Sequence, residues 1–179
     1  EQAEDFTALS ENTQNEIKFG NYDLIFLDLR LNGAHEEGNL RPHELSGMKI
    51  LKTIKEFNKG TQVIMFTASN KAWNMKALMD AGADGYYIKE SPEYAHSNSY
   101  SVSNADELSQ CIIRCLNNGH LRDIYIKIKK IKDLISESSL YGERTEEILS
   151  SIDIAYDLLA KSNNRNEYKA YSYLQLFLD

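Results

Sequence analysis

The sequence has no apolar run approaching the roughly 20 residues that a bilayer-spanning helix needs, and no signal-peptide pattern opens it. A membrane protein is therefore not expected, and a cytoplasmic location is. Positive charge is not in excess either: 20 Lys and Arg stand against 27 Asp and Glu, a formal net charge of −7. That balance argues against a nucleic-acid binder whose affinity rests on neutralising phosphates. Cysteine is scarce, with 2 in 179 residues. Cys111 and Cys115 stand four apart beside Ile112 and Leu116, and read as two small apolar residues on a buried helix face rather than a disulfide or metal pair. The length and 42% hydrophobic content fit one ordinary domain plus an appendage.

What is present begins with Tyr22-Asp23-Leu24-Ile25-Phe26-Leu27-Asp28-Leu29-Arg30. Its apolar run, Leu24 to Leu27, predicts a buried parallel strand that delivers one carboxylate at its end. Asp28 then sits at the carboxyl edge of the sheet, where open α/β folds place their ligands. Two further runs repeat the design. Gln62-Val63-Ile64-Met65-Phe66 ends in Thr67, and Asp84-Gly85-Tyr86-Tyr87-Ile88 ends in Lys89. An acid, a hydroxyl and an amine at three strand ends can converge on one small polar site.

Strands alternate with helices from about Asp23 to Gly119, which predicts parallel strands joined by crossover helices. The first helix starts near Gly47, with Ser46 as its cap and Ile50, Leu51, Ile54 and Phe57 on one face. The second follows Thr67, with Asn70 as cap, Trp73, Ala77, Leu78 and Ala81 inward, and Gly82 in the left-handed position that ends it. A polar loop from Ser91 to Asn104 precedes the third, capped by Ser103 or Asn104, with Leu108, Cys111, Ile112 and Cys115 inward.

Beyond Gly119 the pattern changes. Leu121, Ile124, Ile128, Ile131 and Ile135 recur mostly at three and four, as in a helical seam. Ile124 to Lys129 also alternates with period two, but the loss of alternation afterwards favours helix over strand. Tyr141-Gly142 breaks it, and a second helix carries Ile148, Leu149, Ile152, Ala155, Tyr156 and Leu159. Asn163-Asn164 breaks again, before a segment with Tyr168, Tyr171, Leu174 and Leu178. Helices this short need partners for their apolar faces. The expected division is 1–119 for the α/β unit and 120–179 for a helical extension. Glu1 to Gly20, with Phe6, Leu9, Ile17 and Phe19 as apolar anchors, offers at best an amphipathic helix.

Asp, then Thr, then Lys at successive strand ends resembles the receiver domain of response regulators in two-component signalling. "YDLIFLDLRL", "SGMKILKTIKEF", "QVIMFTAS" and "KALMDAGADGYYIK" resemble receiver segments in order, over roughly Gly20 to Ser91. The resemblance implies a flavodoxin-like parallel sheet with helices on both faces, here followed by an all-α extension. It implies that Asp28 accepts a phosphoryl group from a histidine kinase or phosphotransfer protein. Thr67 would hydrogen-bond that group, Lys89 would pair with one of its oxygens, and Tyr86 would be the aromatic switch that follows the threonine. Mg²⁺ would be held by Asp28 and the backbone carbonyl of Arg30. The chemistry agrees: a carboxylate attacks phosphorus only if the repulsion between like charges is offset by a metal and a cation.

Three departures stand beside the resemblance. No strand followed by an acidic pair precedes the acceptor strand, so the chain is expected to be amino-terminally incomplete; Glu1, Glu4 and Asp5 follow no apolar strand. The segment of about 31–46 is longer than receivers usually have there. It holds His35, Glu36, Glu37, His43 and Glu44, which read as a solvated loop rather than a metal site. Lys89 is followed by Glu90, where receivers commonly carry a proline, and that carboxylate would oppose phosphoryl charge.

Two other functions compete with a phosphoreceiver. A dehalogenase-type phosphatase also uses a strand-end Asp, but needs a second acid two residues later, where Arg30 stands. A pseudo-receiver would keep the fold as an interaction module without phosphorylation. The expected protein is no enzyme beyond phosphorylating and dephosphorylating itself. The basic cluster Lys127, Lys129, Lys130 and Lys132 is followed by Asp133 and Glu137, so the output is expected to be protein–protein contact, within the helices or across a homodimer, and not DNA reading.

Overall fold

The structure, a computed structural model, describes residues 11–31, 41–67, 72–89, 98–138 and 141–161. It divides into two units, Glu1–Gly119 and His120–Asp179. In the first, α1 (Glu11–Phe19) leads into β1 (Leu24–Asp28), α2 (Ser46–Phe57), β2 (Gln62–Thr67), α3 (Ala72–Asp80), β3 (Gly85–Ile88) and α4 (Asn98–Asn117). The sheet is parallel with strand order β1-β2-β3. This is the flavodoxin-like receiver arrangement expected from the sequence, with β2 in the middle.

Strand alternation builds two separate cores. Val63 and Met65 turn to one face and pack with Leu27, Met48, Leu51, Ile54 and Leu78 beneath α2 and α3. Ile64 turns to the other and packs with Cys111 and Cys115 of α4, with Leu24, Phe66 and Tyr87 at its margin. Val63, Ile64 and Met65 are completely buried, so each contributes on the order of 1.5–3 kcal/mol by leaving water. The two cysteines are free thiols on one helix face. Burial pushes the Cys115 thiol up to about 12.

Several local expectations change. β1 is an edge strand among the described residues, and Phe26 at its centre is half exposed rather than buried. An apolar groove of about 550 Å³ runs beside it, lined by residues that include Ile17, Leu24, Phe26 and Ile50. Phe19 is exposed, so of the amino-terminal anchors that can be placed, Ile17 alone meets the core; Phe6 and Leu9 lie outside the described residues. Ser46 does not cap α2: Leu45 is the capping residue, with no side-chain hydrogen bond, and Ser46 is the helix's first residue. Ser103 and Asn104 lie inside α4, which starts at Asn98. Ser and Asn cost only a few tenths of a kcal/mol in a helix that is already nucleated, so it propagates back through a polar stretch. Asn70 and residues 91–97 lie outside the described residues. Gly82 ends the α3 segment at φ +97°, as its position predicts.

Among the described residues, the second unit holds two helices, α5 (His120–Glu137) and α6 (Thr145–Lys161), with a short turn at Gly142–Arg144 before α6. Leu121, Ile124 and Ile128 meet Tyr156 and Leu159, with Tyr125 and Ile152 alongside. Lys132 and Asp153 add an ion pair at 2.6 Å. The strand alternative for Ile124 to Lys129 is thereby excluded. Ala155, named with the apolar residues of that helix, is exposed. The segment with Tyr168, Tyr171, Leu174 and Leu178 lies outside the described residues. Among the described residues, no helix is long and apolar enough to cross a membrane.

Candidate functional site

The parallel ladder dictates where the three strand ends meet. Asp28 stands opposite Phe66, and Thr67 opposite Ile88. Two bonds continue the ladder past the strands: Leu29 N–H donates to the Phe66 carbonyl at 3.1 Å, and Lys89 N–H to the Thr67 carbonyl at 2.7 Å. Asp28, Thr67 and Lys89 are thus held side by side at the carboxyl edge, because each follows its strand's last apolar residues.

Lys89 reaches across β2 to form a direct ion pair with Oδ2 of Asp28. The other oxygen, Oδ1, accepts the Arg30 backbone N–H at 3.3 Å. The two side chains remain 34% and 42% exposed, so a reagent can approach the carboxylate from solvent. Thr67 is buried at 3% exposure. Tyr86, three residues before Lys89, is half-buried and packs against the core shared by α2 and α3. Burial raises the pKa of its hydroxyl.

A second ion pair shows what a purely structural one looks like in this sheet. Asp84 precedes β3, and its Oδ2 meets Lys55 Nζ at 2.7 Å while accepting the Val63 N–H at 2.7 Å. Lys55 also donates to the Thr61 carbonyl at 2.6 Å. This pair lies at the amino edge of the strands, with side chains 11% and 24% exposed. Desolvation raises the Asp84 pKa, opposed by the Lys55 charge. Every strong partner there is internal. The Asp28 carboxylate, by contrast, pairs with a partly exposed cation and is itself partly exposed.

Two neighbours of Asp28 were not singled out as site residues from sequence. Gly47 packs directly under the acceptor: a Cβ there would lie 2.1 Å from the Asp28 carbonyl oxygen and 2.7 Å from Leu29 Cα. Its N–H donates to the Leu29 carbonyl at 3.1 Å. Ser46 Oγ accepts the Leu31 N–H at 2.8 Å, tying together the two ends of the long segment that follows Asp28. The visible signal was a Ser-Gly pair at the end of that segment, but what it touches depends on the returning chain. Of the candidate ligands in that segment, Glu44 accepts the Arg41 N–H at 2.7 Å and closes a local turn. His35, Glu36 and Glu37 lie outside the described residues. Among the described residues, no group of three His, Cys, Asp or Glu side chains is placed to hold a metal ion.

Comparison with known proteins bears on the same region. Residues 3–96 match the response regulator receiver domain family. The chain is also similar to the nitrate/nitrite response regulator protein NarP of Escherichia coli (strain K12), at 35% identity over 69 residues. That stretch is 38% of this chain and 27% of the relative, so the match spans about a quarter of that protein's length.

Proposed function

The chain belongs to the response regulator receiver domain family, and from that premise we propose that it is a phosphorylation-controlled signalling receiver with Asp28 as its acceptor. The phosphoryl donor is a histidine kinase or a phosphotransfer protein. An Asp28 carboxylate oxygen attacks phosphorus, the bond from phosphorus to the donor's imidazole nitrogen breaks, and that nitrogen keeps the electron pair. The observation that carries the reading is the Asp28–Lys89 ion pair, exposed on one side at the carboxyl edge of the sheet.

Each residue has a role that follows from its place. Lys89 holds the carboxylate before transfer, and its amine passes to a phosphoryl oxygen once the acyl phosphate has removed the carboxylate charge. The Arg30 N–H orients Asp28 through Oδ1. Thr67 supplies a hydroxyl donor from the neighbouring strand, and filling that bond draws its buried side chain toward the site. Tyr86 shares β3 with the residues leading to Lys89 and, as the aromatic switch, would move into the space so vacated.

Asp28 and the Arg30 carbonyl fit Mg²⁺, an ion that takes one or two carboxylates and leaves its other positions to water and phosphoryl oxygens. When bound, Mg²⁺ supplies the positive charge that lets an anionic nucleophile approach an anionic phosphoryl group. The output is protein–protein contact, made by the surface of α3 and β3 and by the helical unit. A phosphorylation-independent interaction module is the second reading, favoured by Glu90 directly after Lys89, whose carboxylate would oppose phosphoryl charge.

Intact mass before and after acetyl phosphate with Mg²⁺ tests the first reading. One phosphoryl adduct on the parent, absent from Asp28→Ala, is the expected result. No adduct on either would move the assignment to the interaction module.

A further inference from the structure

Arg30 stands between two pinned peptide groups, and both pins come from the first two residues of α2. The Leu29 carbonyl accepts the Gly47 N–H at 3.1 Å, and the Leu31 N–H donates to Ser46 Oγ at 2.8 Å. Peptide bonds among the described residues are trans, so the C=O and N–H of each flat unit point opposite ways. The unit joining Leu29 to Arg30 turns its carbonyl to Gly47 and its N–H the other way, where Asp28 Oδ1 accepts it at 3.3 Å. The unit joining Arg30 to Leu31 turns its N–H to Ser46, and so its carbonyl away from Ser46.

A hydroxyl at this place needs a reason. Ser46 is 4% exposed, beside the buried Leu45, Gly47 and Met48. Burying a hydroxyl costs free energy unless it is hydrogen-bonded, and Ser46 is not the capping residue of its helix. Its bond to Leu31 runs back fifteen residues, to the chain leaving the acceptor strand.

We infer that Ser46 is a positioning residue for the divalent cation: by holding the Leu31 N–H, it sets the direction of the Arg30 carbonyl. That carbonyl is one of the two groups that fit Mg²⁺, so the inference deepens the receiver reading and rests on it. Mg²⁺ demands near-octahedral geometry, so a carbonyl free to turn is a poorer ligand than one already aimed. Partners that orient a metal ligand from behind are typically worth 10–100-fold in affinity. One carbonyl held through one neutral bond belongs near the lower figure, about tenfold. Leu31 is 39% exposed, so water replaces the lost acceptor, and the loss falls on orientation more than on stability.

Titrating the isotope-labelled full chain with Mg²⁺ alone, read by the backbone amide resonances of residues 28–31, tests it before any phosphoryl donor is added. The expected result is saturable binding in the parent and binding about tenfold weaker in Ser46→Ala. Should the alanine variant fold poorly, Ser46→Cys decides: it keeps the size, offers only a weak acceptor, and is expected to share the weakening. With acetyl phosphate added, the half-saturating Mg²⁺ for labelling Asp28 is expected to rise by the same factor, with the rate at saturating Mg²⁺ near the parent's. Parent-like Mg²⁺ affinity in the variants would overturn the inference, as would a parent showing no saturable shifts. Slower labelling at saturating Mg²⁺ with unchanged affinity would make Ser46 a structural residue only and overturn it as well. If the parent binds Mg²⁺ but takes no phosphoryl group, the acceptor assignment fails, while the Mg²⁺ titration still decides the role of Ser46.

Discussion

Replacing Gly47 by alanine probes the contact between α2 and the acceptor strand. The added methyl would sit 2.1 Å from the Asp28 carbonyl oxygen, 2.7 Å from Leu29 Cα and 2.8 Å from the Leu29 carbonyl oxygen. All three are backbone atoms, so no rotamer change relieves the clash and either α2 or β1 must move. Overpacking in a tight core costs typically 1–3 kcal/mol, and a contact with fixed backbone belongs near the upper figure, about 3 kcal/mol. For a domain of this size that corresponds to a fall in melting temperature of roughly 10 °C. Gly85→Ala is the control. Its methyl meets the Cys111 Sγ at 2.4 Å and Ile64 Cγ1 at 3.0 Å, both side-chain atoms. Combining Gly85→Ala with Cys111→Ala is therefore expected to recover much of the loss, a coupling of about 1–2 kcal/mol. No side-chain truncation is expected to rescue Gly47→Ala. Thermal melting followed by circular dichroism reads both effects, and the Gly47 variant should also accept phosphoryl groups more slowly. A Gly47→Ala protein melting within about 2 °C of the parent, with unchanged phosphorylation, would refute the close approach.

Other expectations follow from the same geometry. Lys89→Ala breaks a partly exposed ion pair, so its stability should change by no more than about 1 kcal/mol, while phosphoryl transfer to Asp28 falls sharply; equal rates in kinetic mass spectrometry would contradict Lys89's role. Asp84 holds its proton more tightly folded than unfolded, so between its ordinary value of 3.8 and its raised folded value the native state binds more protons. Its contribution to stability is therefore full below that window and declines as pH rises through it. Urea titrations at stepped pH should show this downward contribution, and Asp84→Asn should remove it. With its thiol pushed up to about 12 and both cysteines buried, Cys115 should react with a thiol reagent at pH 8 only after unfolding. Rapid labelling of two thiols in the folded protein would contradict that burial.

Much of this arrangement was legible in the sequence because parallel strands impose simple rules. Once Asp28, Thr67 and Lys89 each end an apolar run, a parallel ladder brings them to one edge whatever the loops do. The Cys111 and Cys115 face was equally legible, since residues four apart on a helix share a side. What escaped depended on non-local facts. The exposure of Phe26 goes with β1 standing at an edge among the described residues, which its own residues do not encode. Ser46 looked like a cap because local spacing suggests one, yet its hydroxyl is used by Leu31, fifteen residues earlier in sequence. Gly47 is needed for the approach of α2 to the Asp28 backbone, a contact visible only once the chain has returned. The polar stretch before Ser103 read as loop since Ser and Asn favour turns, but the small propensity cost let α4 extend to Asn98.

The central claim is that Asp28 is the carboxylate that takes the phosphoryl group. Treating the protein with acetyl phosphate and Mg²⁺, then reducing any acyl phosphate with borohydride, converts the modified aspartate to homoserine. Peptide sequencing by mass spectrometry then reads its position. Homoserine at residue 28 alone is the expected result; homoserine at another carboxylate, or none, would contradict the account.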